Sequence, residues 1–427
     1  MVVESAQLEI SSALVDSPLT TLARGLTVRV YRELRELDTL RPAWDRLLDL
    51  YPPATTFSSW EWLTCWWRSF GKHDALFVLA AFDSQNQMVG LAPLAISRQA
   101  FAAFPSVRVL RFMGDGTFDS DNLDMLVRTG SEASFVQALF NYLEAHRSEW
   151  DVCELNTLPP DSSVSQFLTD GCAARKWTSF EHFIESAAIY LSGTWEEYLN
   201  TLSTEDRKNI GRYTRRLNNR YDVRISRCTR AEEIFPGLDA LFRLHQRRWE
   251  QIGHRGSFSS LERREFYRDL SLCLLNRGWL ELWLLELDGA IAAVQFAFRF
   301  RDHIFQLQEG YDSERCSDRP GLVLRAHVLK QFISEGVRVY DFLAGDGGYK
   351  KRWGAQSRRY QTVRFAMPFT RGSGVLRLME GAADGKQWLR RRMPAAAWKL
   401  LKNIKSIVAG RKETSAAKVR VISNSRG

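Results

Sequence analysis

The stretch from Asp302 to Gly354 constrains the fold more than any other part of this chain. It reads strand, polar loop, Pro-Gly, amphipathic helix, strand, glycine-rich turn and basic-aromatic cluster, which is the order of a βαβ unit. His303–Tyr311 alternates with an imperfect period of two, Ile304, Gln306, Gln308 and Gly310 facing one way and Phe305, Leu307, Glu309 and Tyr311 the other. Glu314–Arg319 is a polar breaker. Pro320 and Gly321 then open a helix, because Pro loses nothing where the first amide has no intrahelical partner. Leu322, Leu324, Val328, Leu329, Phe332 and Ile333 form its apolar face, Gly336 ends it, and Val337–Leu343 is a second strand closed by Gly345, Gly347 and Gly348. Free amides at the start of such a helix favour an anion, phosphate above all.

Charge narrows the choice of partner. Residues 371–427 hold 14 Lys and Arg against 3 Asp and Glu, whereas the rest of the chain holds 45 against 47. The basic balance therefore belongs to a tail and not to a groove through the body, so no specific nucleic-acid partner is expected. Val375–Ile407 mixes Leu376, Leu378, Trp388, Leu389, Trp398 and Leu401 with Arg390–Arg392, Lys399, Lys402 and Lys405, a basic amphipathic helix suited either to anionic lipid or to packing on the body. Residues 410–427 read as disordered. The six cysteines form no C-x-x-C pair and none sits beside a histidine at ligand spacing, so neither a disulfide framework nor a metal site is expected and a reducing cytoplasm fits. No apolar run approaches a membrane span and no export signal opens the chain. The predicted location is cytoplasmic, with peripheral contact at the inner membrane face through the tail.

A second regularity sets the organisation. After a mobile leader (1–25) and a strand at Leu26–Tyr31, Leu37–Leu50 is a helix stopped by Pro52 and Pro53, and FSSWEWLTCWWRSF (Phe57–Phe70) is another with Ser58 or Ser59 as N-cap and its tryptophans in the core. Phe77–Phe82 and Met88–Ile96 make a hairpin. Ser131–His146 is helical and Asp151–Thr157 is a strand. The second half repeats this order, with a helix at Pro236–Trp249, another opened by Phe258-Ser259-Ser260, and a hairpin of Trp279–Leu287 with Ala290–Phe300 around Asp288-Gly289. The expected organisation is two copies of one α/β fold, 26–190 and 221–370, each a mixed sheet flanked by helices and stacked on the other. A basic helical linker (191–220) with Arg207, Lys208, Arg212, Arg215, Arg216 and Arg220 joins them, and a C-terminal helix and tail (371–427) follows. The acidic run Asp115–Asp124 matches no EF-hand spacing and reads as a solvated loop.

Residues 221–369 resemble the acyltransferase domain of the GNAT superfamily, in its BioF-like or CelD-like branch, a relative of the FemABX aminoacyltransferases. The resemblance is carried by RPGLVLRAHVLKQFISEG (Arg319–Gly336), VRVYDFLAGD (Val337–Asp346) and YKKRWG (Tyr349–Gly354). The chain offers R-C-S-D-R-P-G (Arg315–Gly321) where many GNAT proteins have Q/R-x-x-G-x-G/A, a departure usual for this branch. The resemblance implies an α/β fold of tandem GNAT-like domains, an acyl-CoA cosubstrate such as acetyl-CoA with no metal, and an N-acyltransferase acting on a small-molecule or saccharide amine. In the related proteins a basic helix stands where 193–220 stands here, facing the cleft between copies.

Acyl transfer from a thioester to an amine needs a polarised carbonyl, a neutral nucleophile and a proton for the thiolate. The candidates are Glu309 as base, Tyr349 or Tyr311 as acid, and Arg319, Pro320, Gly321, Leu322 and Val323 as the cofactor loop. Asp346, Lys350, Arg352 and Trp353 are the substrate-side group, with Lys350 and Arg352 clamping a phosphate-bearing ligand at the carboxyl end of the strand. Only the second copy is expected to bind the cofactor, since the acidic run of the first would repel a pyrophosphate. Two other classes fit the same residues: a FemABX-like transferase using aminoacyl-tRNA, and a non-catalytic accessory of cellulose or exopolysaccharide synthesis. No P-loop, nucleophile elbow or dinucleotide fingerprint is present.

Overall fold

The structure, a computed structural model, describes residues 20–22, 25–101, 104–117, 119–251, 253–345 and 348–392. Apart from Thr20–Leu22 and Gly25 the leader lies outside these residues, as does the tail beyond Arg392. The first half runs β1 (Thr20–Leu22), β2 (Leu26–Tyr31), α1 (Leu34–Leu50), α2 (Trp60–Phe70), β3 (Ala75–Phe82), β4 (Met88–Phe101), β5 (Phe104–Phe112), β6 (Leu126–Val127), α3 (Glu132–Ala145), β7 (Val152–Leu158), α4 (Ser165–Ala174) and β8 (Thr178–Tyr190). Two helices, α5 (Trp195–Thr201) and α6 (Thr204–Arg220), lead to the second half. That half runs β9 (Val223–Arg227), α7 (Ala231–Gln251), α8 (Leu261–Asn276), β10 (Leu280–Leu287), β11 (Ala290–Phe300), β12 (His303–Tyr311), α9 (Pro320–Ser334), β13 (Val339–Ala344), α10 (Gly348–Lys351) and β14 (Gln356–Ala366). The chain to Pro368 is one compact unit, and a separate one from Phe369 contains α11 (Arg371–Arg392).

Local chemistry explains why the halves echo one another. In each, a single 3₁₀ turn (Thr56–Ser58, Ser257–Ser259) leads to a serine whose Oγ accepts from the backbone three residues on, Ser59 from Trp62 N–H and Ser260 from Arg263 N–H, both at 3.2 Å. These caps start α2 and α8. Asp288 and Gly289 both have positive φ, the two-residue turn that matches the twist of an antiparallel hairpin.

The halves are not stacked. They share one mixed sheet in the order β1-β2-β3-β4-β5-β7-β14-β8-β13-β12-β11-β10-β9, with β6 on β4. Two strands that hydrophobic patterning leaves unassigned, β8 and β14, make this sheet continuous by exchanging places. β14 lies antiparallel to β7 of the first half, β8 lies antiparallel to β13 of the second, and the two pair with each other from Gln356 opposite Ala188 to Ala366 opposite Thr178. The sheet is read alike from either side of that central pair. In each half one parallel pair is joined by a crossover helix, β5 and β7 through α3, β12 and β13 through α9.

One core cluster collects residues of α1, α2, α3, α7 and α8, and a smaller one collects α5, α6 and α9 on the other face of the second half. An aromatic seam crosses between halves, Phe57 and Trp62 against Phe298 at 5.2 Å each and Trp62 against Phe266 at 5.6 Å. The tryptophans Trp60, Trp62 and Trp66 are buried in it.

The acidic run is not a solvated loop. Asp119, Asn122 and Asp124 are buried, and the segment ties the halves together. Asp119 is ion-paired with Arg263 (2.9 Å) and accepts from the Tyr267 hydroxyl, Asn122 donates to the Tyr360 hydroxyl, and Asp121 accepts from the Ala344 N–H. Among the described residues no group of acidic, Cys or His side chains is arranged to hold a metal.

Burial lifts the Asp124 carboxyl to about 7, against the opposing hydrogen bonds from the Tyr51 hydroxyl, the Met125 N–H and the Ser162 hydroxyl. An acid raised above its unfolded value holds its proton longer in the native state. Its contribution is therefore fully present below about pH 4 and is lost as pH climbs toward 7, a change on the order of a few kcal/mol. Asp124→Asn should remove this loss: the difference in unfolding free energy between variant and parent, followed by urea titration, shifts toward the variant from pH 4 to 7. A difference that stays flat across that window would contradict the assignment.

Candidate active site between two diverging strands

β12 and β13 pair only from His303 to Phe305 and from Val339 to Asp341. Beyond these residues the strands part, and a slot opens between them. A bulge shapes one wall. Phe296 lies opposite Gln308 but Ala297 lies opposite Gln306, so Leu307 is an extra residue.

The bulge reverses the alternation read from the sequence. Phe305 and Leu307 face the α7–α8 side, but beyond the bulge Gln308 bonds Tyr267 on that side and Glu309 turns to α9. Gly310 comes under α7, where a Cβ would lie 3.1 Å from Leu244 Cβ and 3.2 Å from the His245 nitrogen, so a side chain there would have to push the α7 backbone back by a few tenths of an ångström.

The slot widens into a cleft of about 960 Å³ walled by β12, the end of β13, the first turns of α9, α10, the N-terminal part of α6 and the C-terminal part of α7. Glu309, Tyr311, Tyr349, Arg319, Gly321, Leu322, Lys350, Arg352 and Trp353 all line it, brought together from three segments. Asp346 lies outside the described residues.

The cofactor loop is only partly available. Arg319 takes a left-handed conformation (φ 52°) as the residue before α9, and Pro320 is buried as its first helical residue. The N–H groups of Leu322 and Val323 donate to the Arg319 carbonyl, and Val323 is a core side chain because the helical period turns it inward. Val323 is thus corrected from ligand contact to packing, and Pro320 to a conformational role. Gly321, half-buried, lines the cleft, with the Tyr311 ring 3.4 Å from where its Cβ would be. The preceding turn is pinned from α6, since Arg216, Arg220 and the Tyr221 hydroxyl all bind Asp318 at 2.8–2.9 Å. The basic face of the linker therefore fastens this loop, while α6 meets the cleft through Asp206, Asn209 and Ile210.

Lys350 is corrected most sharply. Its buried ammonium donates to the carbonyls of Phe342, Leu343, Ala344 and Gly345, at 3.2, 2.9, 3.1 and 2.8 Å. The end of β13 curls to present them, Leu343 at φ 61° and Gly345 at φ 107°. The amides are held as well, Leu343 N–H by Asp341 and Ala344 N–H by Asp121. A cation committed to main-chain carbonyls is a structural element of the cleft wall and not a phosphate clamp.

Glu309 is ion-paired through Oε2 with Arg325, whose guanidinium is buried over the rings of Tyr349 (5.2 Å), Phe342 (5.3 Å) and Trp353 (5.7 Å). Trp353 is a packing anchor, its carbonyl accepting from the Tyr198 hydroxyl. Burial, reinforced by Glu309, raises the Tyr349 phenol above its usual range although 42% of the residue is exposed, so it is protonated at neutral pH.

Arg325 went unnoticed in the sequence, although a signal was there. It falls three residues after Leu322 and three before Val328, a charge on the apolar stripe of α9, which requires a buried partner. His245, Arg248 and Trp249, on one face of α7, also line the cleft. Trp249 donates its indole N–H to His245 Nε2 at 3.0 Å, and Arg248 lies over the Tyr311 ring at 5.0 Å. Among the described residues Arg248, Arg319 and Arg352 make no ion pair, which leaves the cleft mouth positive.

Residues 204–351, from α6 to α10, match the family described as Acetyltransferase (GNAT) domain. The solved structure of FemX shares the fold: it aligns with a TM-score of 0.55 over 78% of this chain and 96% of its own, at 12% identity. The C-terminal domain of a putative lysylphosphatidylglycerol synthetase from Agrobacterium fabrum (TM-score 0.47, 10% identity, 82% and 96% covered) and a tandem GNAT protein from the clavulanic acid biosynthesis pathway (0.44, 13%, 80% and 100%) also align. No curated protein matches the sequence. The segment 204–351 thus matches a GNAT acetyltransferase domain, and the chain as a whole has a mixed α/β fold shared with FemX.

Proposed function

We propose that this chain is an N-acyltransferase that moves an acyl group from acyl-CoA to an amine in the cleft of its second half. The slot between β12 and β13 carries this reading. It is an unpaired gap between two strands that widens into a cleft of about 960 Å³ in which a pantetheine arm is accommodated in this reading, and the Arg319–Gly321 turn lines that cleft, where a pyrophosphate would find an N–H and a guanidinium. The amine attacks the thioester carbonyl. The proton lost from its nitrogen goes to Glu309 through Oε1, the oxygen that Arg325 does not hold, and the departing thiolate takes the proton of Tyr349. Arg352 at the mouth binds a phosphate of the ligand in place of Lys350.

A saccharide or other small amine is the acceptor in this reading, and the resemblance of the Arg319–Gly354 string to BioF-like or CelD-like proteins supports a role in envelope or polysaccharide synthesis. The basic tail provides peripheral contact with anionic lipid; among the described residues no helix is long and apolar enough to cross a membrane. The test is calorimetry with acetyl-CoA. Losing one charged hydrogen bond is worth about 1.5–3 kcal/mol, so Arg319→Ala should weaken binding roughly ten- to hundredfold with little change in melting temperature. If the parent protein binds an aminoacyl-tRNA and not acetyl-CoA, the FemABX-like reading replaces this one.

A further inference from the structure

Cys65 on α2 and Cys273 on α8 come from different halves of the chain, 208 residues apart, and their sulfur atoms stand 3.6 Å apart in a thiol–thiol contact. No other pair of cysteines is in such contact among the described residues, and all six thiols are free. The two helices pack on each other across the seam between halves, Trp62 of α2 against Phe266 of α8 and Phe70 of α2 against the same ring at 5.4 Å. Cys65 is fully buried whereas Cys273 is partly open to solvent, so only one of the pair meets an oxidant.

We propose that Cys65 and Cys273 are an oxidation site at which hydrogen peroxide forms a reversible disulfide that locks the two halves of the fold together. A disulfide is about 2.05 Å long, so the sulfurs must close by roughly 1.5 Å, within reach of side-chain rotation and a small helix shift. The groups around Cys273 are Cys65, Glu61, Arg68 and Asp269. The contact with the Cys65 sulfur and the positive charge of Arg68 lower the Cys273 thiol below its usual range, against burial and the two carboxylates, which favours its thiolate as the nucleophile. The Cys273 thiolate attacks peroxide, the O–O bond breaks, and hydroxide leaves to become water. Cys273 is then a sulfenic acid, its sulfur oxidised by two electrons. Cys65 displaces its hydroxyl, giving the disulfide and a second water, and a thiol reductant restores both cysteines.

The experiment treats the full chain, carrying Cys316→Ser to remove the exposed thiol, with stoichiometric peroxide. Peptide mapping should then find Cys65 joined to Cys273, with a loss of two hydrogens in intact mass that dithiothreitol reverses. Closing a loop of 208 residues should raise the melting temperature by several degrees, and a Cys65→Ser version should show neither effect. Mapping of the Cys316→Ser chain decides the question without the second substitution. Alkylation of both thiols after peroxide, Cys273 carried to the sulfinic acid with Cys65 still free, or a bridge to Cys153, Cys172 or Cys228 would each overturn the proposal.

Discussion

Lys350→Met should lower the unfolding free energy by about 3–5 kcal/mol, the usual effect of removing one member of a buried charged cluster. Methionine matches the length of the chain but offers the four carbonyls of Phe342–Gly345 no proton. Each buried acceptor left unpaired costs about 1–3 kcal/mol, and water entering from the cleft offsets part of it. Leu343 adds to the effect, because its left-handed backbone is held in place by what surrounds it. Chemical denaturation of parent and variant measures the loss. The competing role gives the opposite pattern: an unchanged denaturation midpoint with acetyl-CoA affinity down tenfold or more would return Lys350 to the phosphate clamp.

Neither half should fold by itself. A fragment of residues 26–190 would expose the β7 edge that β14 covers, and would carry β8 with both of its partners missing. A fragment of 191–368 would lack β8 between β13 and β14, and with it the Asp119 and Asp121 contacts that hold α8 and the end of β13. Long unpaired edges with half of the aromatic seam exposed drive aggregation. Each fragment made alone is expected to be insoluble or to lack a cooperative unfolding transition, whereas the two made together should copurify as one body. A fragment 26–190 that melts cooperatively as a monomer would show that the first half is an independent domain after all.

The parts of this fold that were legible in the sequence are those whose cause is local. The Pro-Gly start of α9, the hairpin turn at Asp288-Gly289 and the serine caps of α2 and α8 each follow from a few neighbouring residues. β8 and β14 were not legible. TSFEHFIESAAIY alternates weakly because much of that strand faces solvent on both sides, and nothing within it names a partner some 180 residues away. The cleft shows the same division. Glu309, Tyr311, Tyr349 and part of the loop line it, each placed by its own segment, but the Leu307 bulge, which turns Glu309 toward Arg325, depends on pairing with β11. Lys350 was misread for a similar reason: a cation after a glycine-rich turn looks free until the direction of the turn's carbonyls is known. The acidic run was misread because Arg263, Tyr267 and Tyr360, its partners, come from the other half.

The exchange of β8 and β14 also fixes the order in which the protein can be made. When Tyr190 has left the ribosome, the first half has all its helices and still cannot close its sheet, for the strand that completes it begins at Gln356. The intervening 165 residues take roughly 10–30 s to synthesise at bacterial and eukaryotic rates. For that interval the growing chain presents β7 and β8 as open edges. Its yield in a cell should therefore depend on translation speed across 191–355 and on the chaperones that meet it there.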